Sequence, residues 1–170
     1  MILKLLGSAF IIISCFGFGF MIAAFYKKEV LSLKQLIYAI DFMSCELQYR
    51  IPSLPELCRR TSEQCSGGLM KVFQNLSYEL DDQLAPDVKC CMDFVLSQTV
   101  DIPKETKCCL TLLGENLGRF DLPGQLKALA SIKLECENRL HKMQKDSDIR
   151  LRSYRTLGLC GGIALIILLL

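Results

Sequence analysis

The chain has 170 residues, 51% of them hydrophobic and 22% charged, with a net charge of +2, which fits one domain with attachments rather than two globular domains. Twenty Lys and Arg against eighteen Asp and Glu make a balanced surface, with no basic excess that would call for nucleic acid. The charge is unevenly placed. Every acidic residue, and every basic one but Lys4, lies between Lys27 and Arg155, whereas residues 5–26 and 156–170 carry none.

The first apolar run, residues 5–26, is about 33 Å long as a helix, enough to cross a hydrocarbon core of about 30 Å. Tyr26, Lys27 and Lys28 close it with an aromatic and a basic interface anchor. Gly7, Gly17 and Gly19 would let another helix come close. Ile12, Ile13, Ser14 and Cys15 also resemble the signal that precedes an acylated cysteine. The run stays apolar well past Cys15, however, without a polar tether or small-residue cleavage site, so an uncleaved anchor over residues 1–26 is expected.

Between the apolar runs every stretch reads as helix, because period-2 alternation is absent and Pro and Gly sit at breaks. Val30, Leu33, Leu36, Ile37, Ile40, Met43 and Leu47 recur at helical spacing up to Tyr49, and Pro52 stops that helix. A second helix starts at Ser53, Leu54, Pro55 and Glu56, where the hydroxyl and the glutamate three residues on predict a capping box. It is expected to run to about Cys65 and to end at Gly67 and Gly68. A third carries Leu69, Val72, Phe73, Leu76 and Leu80 inward and ends at Asp81 and Asp82. A fourth starts near Pro86 and Asp87, with Val88, Cys91, Met92 and Val95 inward. A fifth follows Asp101, Ile102 and Pro103, with Cys109, Leu110, Leu113 and Leu117 inward, and breaks at Gly118.

The last helix takes Asp121 as N-cap and Pro123 in its first turn. Leu126, Leu129, Cys136, Leu140 and Met143 mark its buried seam. No breaker intervenes before Gly158, so the helix is expected to run through Arg150, Arg152 and Arg155 into the second apolar run. Residues 156–170 span about 22 Å as a helix, which reads as a short membrane crossing, with a half-inserted segment as the alternative. Lys27, Lys28 and Lys34 after the first run and three arginines before the second place the middle of the chain in the cytoplasm by the positive-inside rule. The expected fold is all-α: a six-helix bundle over residues 27–155, with transmembrane helices 1–26 and 156–170 continuous with its first and last helices.

Ten cysteines in a cytoplasmic domain are expected to stay reduced and to pack as small hydrophobes. The vicinal pairs Cys90–Cys91 and Cys108–Cys109 invite a metal or redox reading. Neighbours on a helix point about 100° apart, though, and no Cys-x-x-Cys occurs. His141, the only histidine, stands in a charged helical stretch. No phosphate-cradling Gly-x-x-x-x-Gly-Lys loop is present. Gly114 and Gly118 read as a packing turn, and Asp81 and Asp82 as a helix end. No catalytic, cofactor-binding or metal-ligating residue is expected, and no cofactor. Two stretches exceed what a bare bundle requires: residues 46–56, with Glu46, Tyr49, Arg50, Pro52, Pro55 and Glu56 at one helix-to-helix corner, and residues 117–125, with Leu117, Gly118, Arg119, Phe120, Asp121 and Gln125 at another. Each reads as a well-capped turn, or else as a docking surface or an internal polar lock between the two long helices.

These patches carry a resemblance. Leu5, Leu6 and Gly7 opening the first span, the 46–49 stretch followed by Leu54, Pro55 and Glu56, the set Leu117, Gly118, Asp121 and Gln125, and Tyr154, Arg155, Leu157 and Gly158 before the apolar tail together resemble the stage III sporulation protein AB family of endospore-forming Firmicutes. The family pattern favours a small polar residue before the aspartate, where this chain has Phe120. The resemblance implies a non-catalytic scaffold in the mother-cell membrane around the forespore, its soluble domain in the mother-cell cytoplasm. It further implies a secretion-like complex with other stage III sporulation proteins, and a helical domain similar to that of the type II secretion and type IV pilus platform protein. By that analogy the AA ATPase of the same group docks on the domain; self-association is compatible with the same role. A membrane-anchored cysteine-based redox or metal sensor is the rival expectation.

Overall fold

The computed structural model describes the backbone of residues 2–82 and 87–169 and the side chains of residues 26–82 and 87–145. Six helices follow one another: α1 (Ile2–Tyr49), α2 (Leu54–Gln64), α3 (Gly67–Asp81), α4 (Val88–Gln98), α5 (Lys104–Asn116) and α6 (Leu122–Leu169). Among the described residues there is no strand. The all-helical, six-helix expectation is met. The chain divides into two units, Glu29–His141 and a second made of Met1–Lys28 and Lys142–Leu170. Among the described residues no helix is long and apolar enough to cross a membrane. The two expected spans, 1–26 and 156–170, fall outside the residues whose side chains are described, Tyr26 excepted.

Side-chain pairs fix the direction of each helix within Glu29–His141. Lys133 of α6 donates to Asp41 of α1 at 2.8 Å, and Arg139 of α6 reaches Glu105 at the start of α5 at 2.8 Å. Glu29, where α1 enters this unit and remote from Tyr49, accepts the Glu105 amide hydrogen at 3.2 Å. Gln35 of α1 donates to Ser66 before α3 at 2.7 Å, and a Cβ on Gly68 would meet Ile102 before α5. Lys89 of α4 reaches Glu115 of α5 at 2.7 Å. Each helix therefore runs antiparallel to the one before it. One end of the bundle gathers the start of α5, the α2–α3 connection and Arg139. The other gathers Tyr49, the start of α2, the start of α4 and the α5–α6 turn.

The core follows the helical period. Leu33, Leu36, Ile40 and Met43 of α1, Leu69, Val72, Phe73 and Leu76 of α3, Met92, Val95 and Leu96 of α4, and Cys109, Leu110 and Leu113 of α5 are all buried. Gly114 lets α5 lie against α4, since a Cβ there would stand 2.7 Å from Met92 Cβ.

Several expectations need correction. Gly67 and Gly68 do not close α2 but open α3, with Gly67 at φ +64, a left-handed conformation that favours glycine. The capping box does not form: Ser53 makes no side-chain cap, and the Glu56 carboxylate that would reach back to it is held by the guanidinium groups of Arg59 and Arg60 in charge-assisted bonds. On α6 the deeply buried positions are Gln125, Leu129, Ile132 and Cys136, whereas Leu126, Leu140 and Met143 are only half-buried. Pro103 precedes α5 and has no capping group, so Glu29 supplies the missing acceptor from α1.

Candidate functional site

The first patch is built on the last turn of α1. Arg50 N–H closes that turn on Glu46 O at 2.9 Å. Ile51 then adopts φ +48, the one non-glycine residue with positive φ among the described residues, and Pro52 directs the chain into α2. A β-branched side chain there is a true conformational outlier. On α2, Arg60 Nε donates to Glu56 Oε1 at 2.7 Å and Arg60 Nη1 to Glu46 Oε2 at 3.2 Å, while Arg59 Nε donates to Glu56 Oε2 at 2.9 Å. The Arg60 and Arg59 guanidinium groups hold the Glu56 carboxyl below its usual range. Glu46 and Glu56 are thus brought together through Arg60, a polar lock that ties α1 to the short helix α2 and not to the other long helix, α6. Pro55 sits in the first turn of α2 and shapes its start. Tyr49 and Arg50 stay outside the lock, Tyr49 with 84% of its surface exposed.

The second patch is the α5–α6 turn. Leu117 is fully buried, and Gly118 at φ +76 reverses the chain. Gln125, only 5% exposed, accepts the Gly118 amide hydrogen on Oε1 at 3.1 Å, while its Nε2 is buried without a partner. Asp121 caps α6 as expected, its Oδ1 accepting the Gly124 amide hydrogen at 3.2 Å. A Cβ on Gly118 would lie 3.3 Å from Leu54 Cδ2 and 3.6 Å from Val88 Cγ2. The two patches, residues 46–56 and 117–125, far apart in sequence, therefore share one end of the bundle, as the resemblance alone could not say.

Sequence reading missed Arg59 and Arg60 as part of this site. Arg60 stands four residues after Glu56, a spacing that itself predicts a helical ion pair. Ile51, Arg119 and Phe120, which fall within the two stretches singled out from the sequence, are exposed beside the named residues.

The vicinal cysteines divide as the 100° argument requires. Cys91 and Cys109 are buried; Cys90 and Cys108, and also Cys45, are exposed, so half of each pair is not core. Burial pushes the Cys58 thiol up to about 12. The Cys109 thiol of α5 beside it, together with burial, raises the Cys136 thiol. Among the described residues no group of His, Cys, Asp and Glu could hold a metal ion. His141 and the Asp81–Asp82 helix end are exposed.

Residues 4–170 match the family described as stage III sporulation protein AB. The chain belongs to that family. Its similarity to the stage III sporulation protein AB of Bacillus subtilis (strain 168) is 28% identity over 174 residues, covering 99% of each chain. A solved structure of a stage III sporulation protein AB superposes with a TM-score of 0.62 at 19% identity, covering 72% of this chain and 98% of that one. That likeness confirms the fold. Family membership gives the chain a role in sporulation.

Proposed function

We propose that this chain is a non-catalytic membrane platform in the secretion-like complex that joins mother cell and forespore, and that its helical domain docks a cytoplasmic ATPase. Family membership supports the setting. The observation that carries the mechanical part is the architecture of the outer helices. α1 and α6 are each 48 residues long, and each includes one of the two uncharged apolar runs at its outer end. Within the bundle they are cross-braced by Asp41 to Lys133 directly, and through α5 by Glu29 to Glu105 to Arg139.

In this reading the apolar runs sit in the mother-cell membrane around the forespore and the domain faces the mother-cell cytoplasm. Other stage III sporulation proteins surround it. Work done by the AA ATPase pushes on the bundle, and the braced pair of long helices passes that displacement to the membrane segments. The chain itself needs no cofactor and performs no bond chemistry. Full-length protein reconstituted in lipid nanodiscs tests this. It is expected to bind the purified AA ATPase and change its turnover; a protein that does neither defeats the proposal.

The rival sensor reading is separated by replacing Cys90, Cys91, Cys108 and Cys109 with Ala or Ser. A platform keeps its ATPase response, whereas a sensor loses bound metal or its response to oxidant.

A further inference from the structure

The end of the bundle that gathers both patches carries more than a polar lock requires. Tyr49, Ile51 and Phe120 are 84%, 67% and 52% exposed there, three large apolar side chains that the core does not use. Arg50 and Arg119 flank them. Arg50 has no carboxylate partner among the described residues, and Arg119 makes only a 3.3 Å bond to the Glu115 carbonyl. Four of the five arginines between Glu29 and His141 (Arg50, Arg59, Arg60 and Arg119) collect at this corner, while the rest of that unit draws its cations mainly from lysine. Exposed Tyr with Arg is the composition of protein contact surfaces, because both give large contact area and directed hydrogen bonds. Nor does the turn itself need Ile51: asparagine or glycine would occupy φ +48 at lower cost.

Charge selects the occupant. Glu46 and Glu56 are already neutralised by Arg59 and Arg60, and Asp121 is spent on the α6 N-terminus. Arg50 and Arg119 are therefore the cations left to a partner. The same end also carries Asp81, Asp82 and Asp87, exposed on the end of α3 and the start of α4, so it is the two guanidinium groups without a carboxylate, beside the exposed apolar side chains, that favour a carboxylate-bearing partner.

We infer that Tyr49, Arg50 and Ile51, together with Arg119 and Phe120, form the docking face for a protein surface that presents carboxylates around an apolar anchor. The inference rests on the ATPase-docking reading and names the face and the chemistry by which that docking occurs. The aromatic and isoleucine side chains contact the anchor, and the two guanidinium groups pair with its carboxylates.

The test uses the full chain in nanodiscs and the purified AA ATPase as probe, with binding measured at two salt concentrations. Tyr49→Ala and Phe120→Ala are each expected to weaken binding about tenfold or more, as buried contact residues do. The double variant Arg50→Glu with Arg119→Glu is expected to weaken it at least as much and to flatten the salt dependence. Arg50→Lys with Arg119→Lys should fall between, because charge is kept and bidentate geometry lost. Tyr38→Ala and Lys71→Glu, exposed on other faces, are controls expected to bind normally. Thermal melts check that each variant is folded. An ATPase that binds wild type and all tip variants equally overturns this inference and leaves the platform reading standing. An ATPase that binds no wild-type protein overturns both. Tip variants that alter only self-association assign the face to a second copy and overturn the inference too.

Discussion

Arg139 of α6 holds Glu105 at the start of α5 with a 2.8 Å bond from Nη1, while its Nε holds Glu135 one turn back at 2.7 Å. Glu105 in turn donates its backbone N–H to Glu29 of α1. Three helices are tied at one end of the bundle by this chain of contacts. The ion pair is about a third exposed, so it is worth only about 0.5–1 kcal/mol. A double-mutant cycle of Arg139→Ala and Glu105→Gln, read by urea denaturation, should give a coupling energy in that range. A coupling near zero would mean the contact does not tie α5 to α6.

Gly114→Ala should destabilise the domain even though alanine is the better helix former. The gain in helix propensity is about 1 kcal/mol. Against it, the new Cβ would stand 2.7 Å from Met92 Cβ, an atom that moves only with the α4 backbone, and such overpacking costs about 1–3 kcal/mol. Gly118→Ala combines φ +76 with a 3.3 Å approach to Leu54 and should lower stability by about 1–2 kcal/mol. An unchanged urea midpoint for either variant contradicts the close packing described here.

Ile51→Asn should raise stability by about 0.5–1 kcal/mol, since asparagine tolerates φ +48 and the isoleucine buries little surface. The same variant should lose affinity for the ATPase. Greater stability with weaker binding is the pair of results to look for in melting and binding curves. Lower stability would show that Ile51 serves the fold.

Glu56 gives a pH signature. Its carboxyl lies below its usual value because Arg60 and Arg59 hydrogen-bond to the charged form. The stabilisation it contributes is therefore fully present above the unfolded carboxylate pKa of about 4.3, and is lost as pH falls through the lower folded value. The difference in urea midpoint between wild type and Glu56→Gln should be constant above about pH 5 and shrink below about pH 4. A difference that grew on acidification would reverse the assignment.

Thiol reactivity should split by position. Thiolate is the attacking species, so a thiol pushed up to about 12, as at Cys58, has little of it at pH 8. Cys45, Cys90 and Cys108 should react with maleimide at least about a hundredfold faster than Cys58 or Cys136 in folded protein, measured by peptide mass mapping. Equal rates would place Cys58 or Cys136 at the surface.

Much of the bundle was legible in the order of residues. Leu33, Leu36, Ile40 and Met43 recur at the helical period, and Pro52 and Gly118 stand where the chain turns. What one-dimensional spacing could not give is which donor meets which acceptor. Ser53 and Glu56 have capping-box spacing, but Arg60 takes the glutamate, and Arg60 also reaches Glu46 fourteen residues away. Glu29 caps α5 across 76 residues, a partner no local pattern encodes. Gly67 and Gly68 read as a stop because a left-handed glycine closes many helices, yet here the same conformation opens the next one. The two candidate corners were found separately; that Gly118 lies against Leu54 is a tertiary fact.

Because each helix packs antiparallel to its predecessor, most of the bundle can form as it is synthesised, pair by pair, with short loops to close. α5 and α6 reach back furthest: Glu105 meets Glu29, 76 residues earlier, and Lys133 meets Asp41, 92 residues earlier. Until α6 emerges, the surface that Ile132 and Cys136 come to cover stays open. Nascent chains stalled before residue 122 should consequently carry an exposed apolar seam and recruit chaperones, and the segment of highest hydropathy at the C-terminus is synthesised only after the residues that seal the domain.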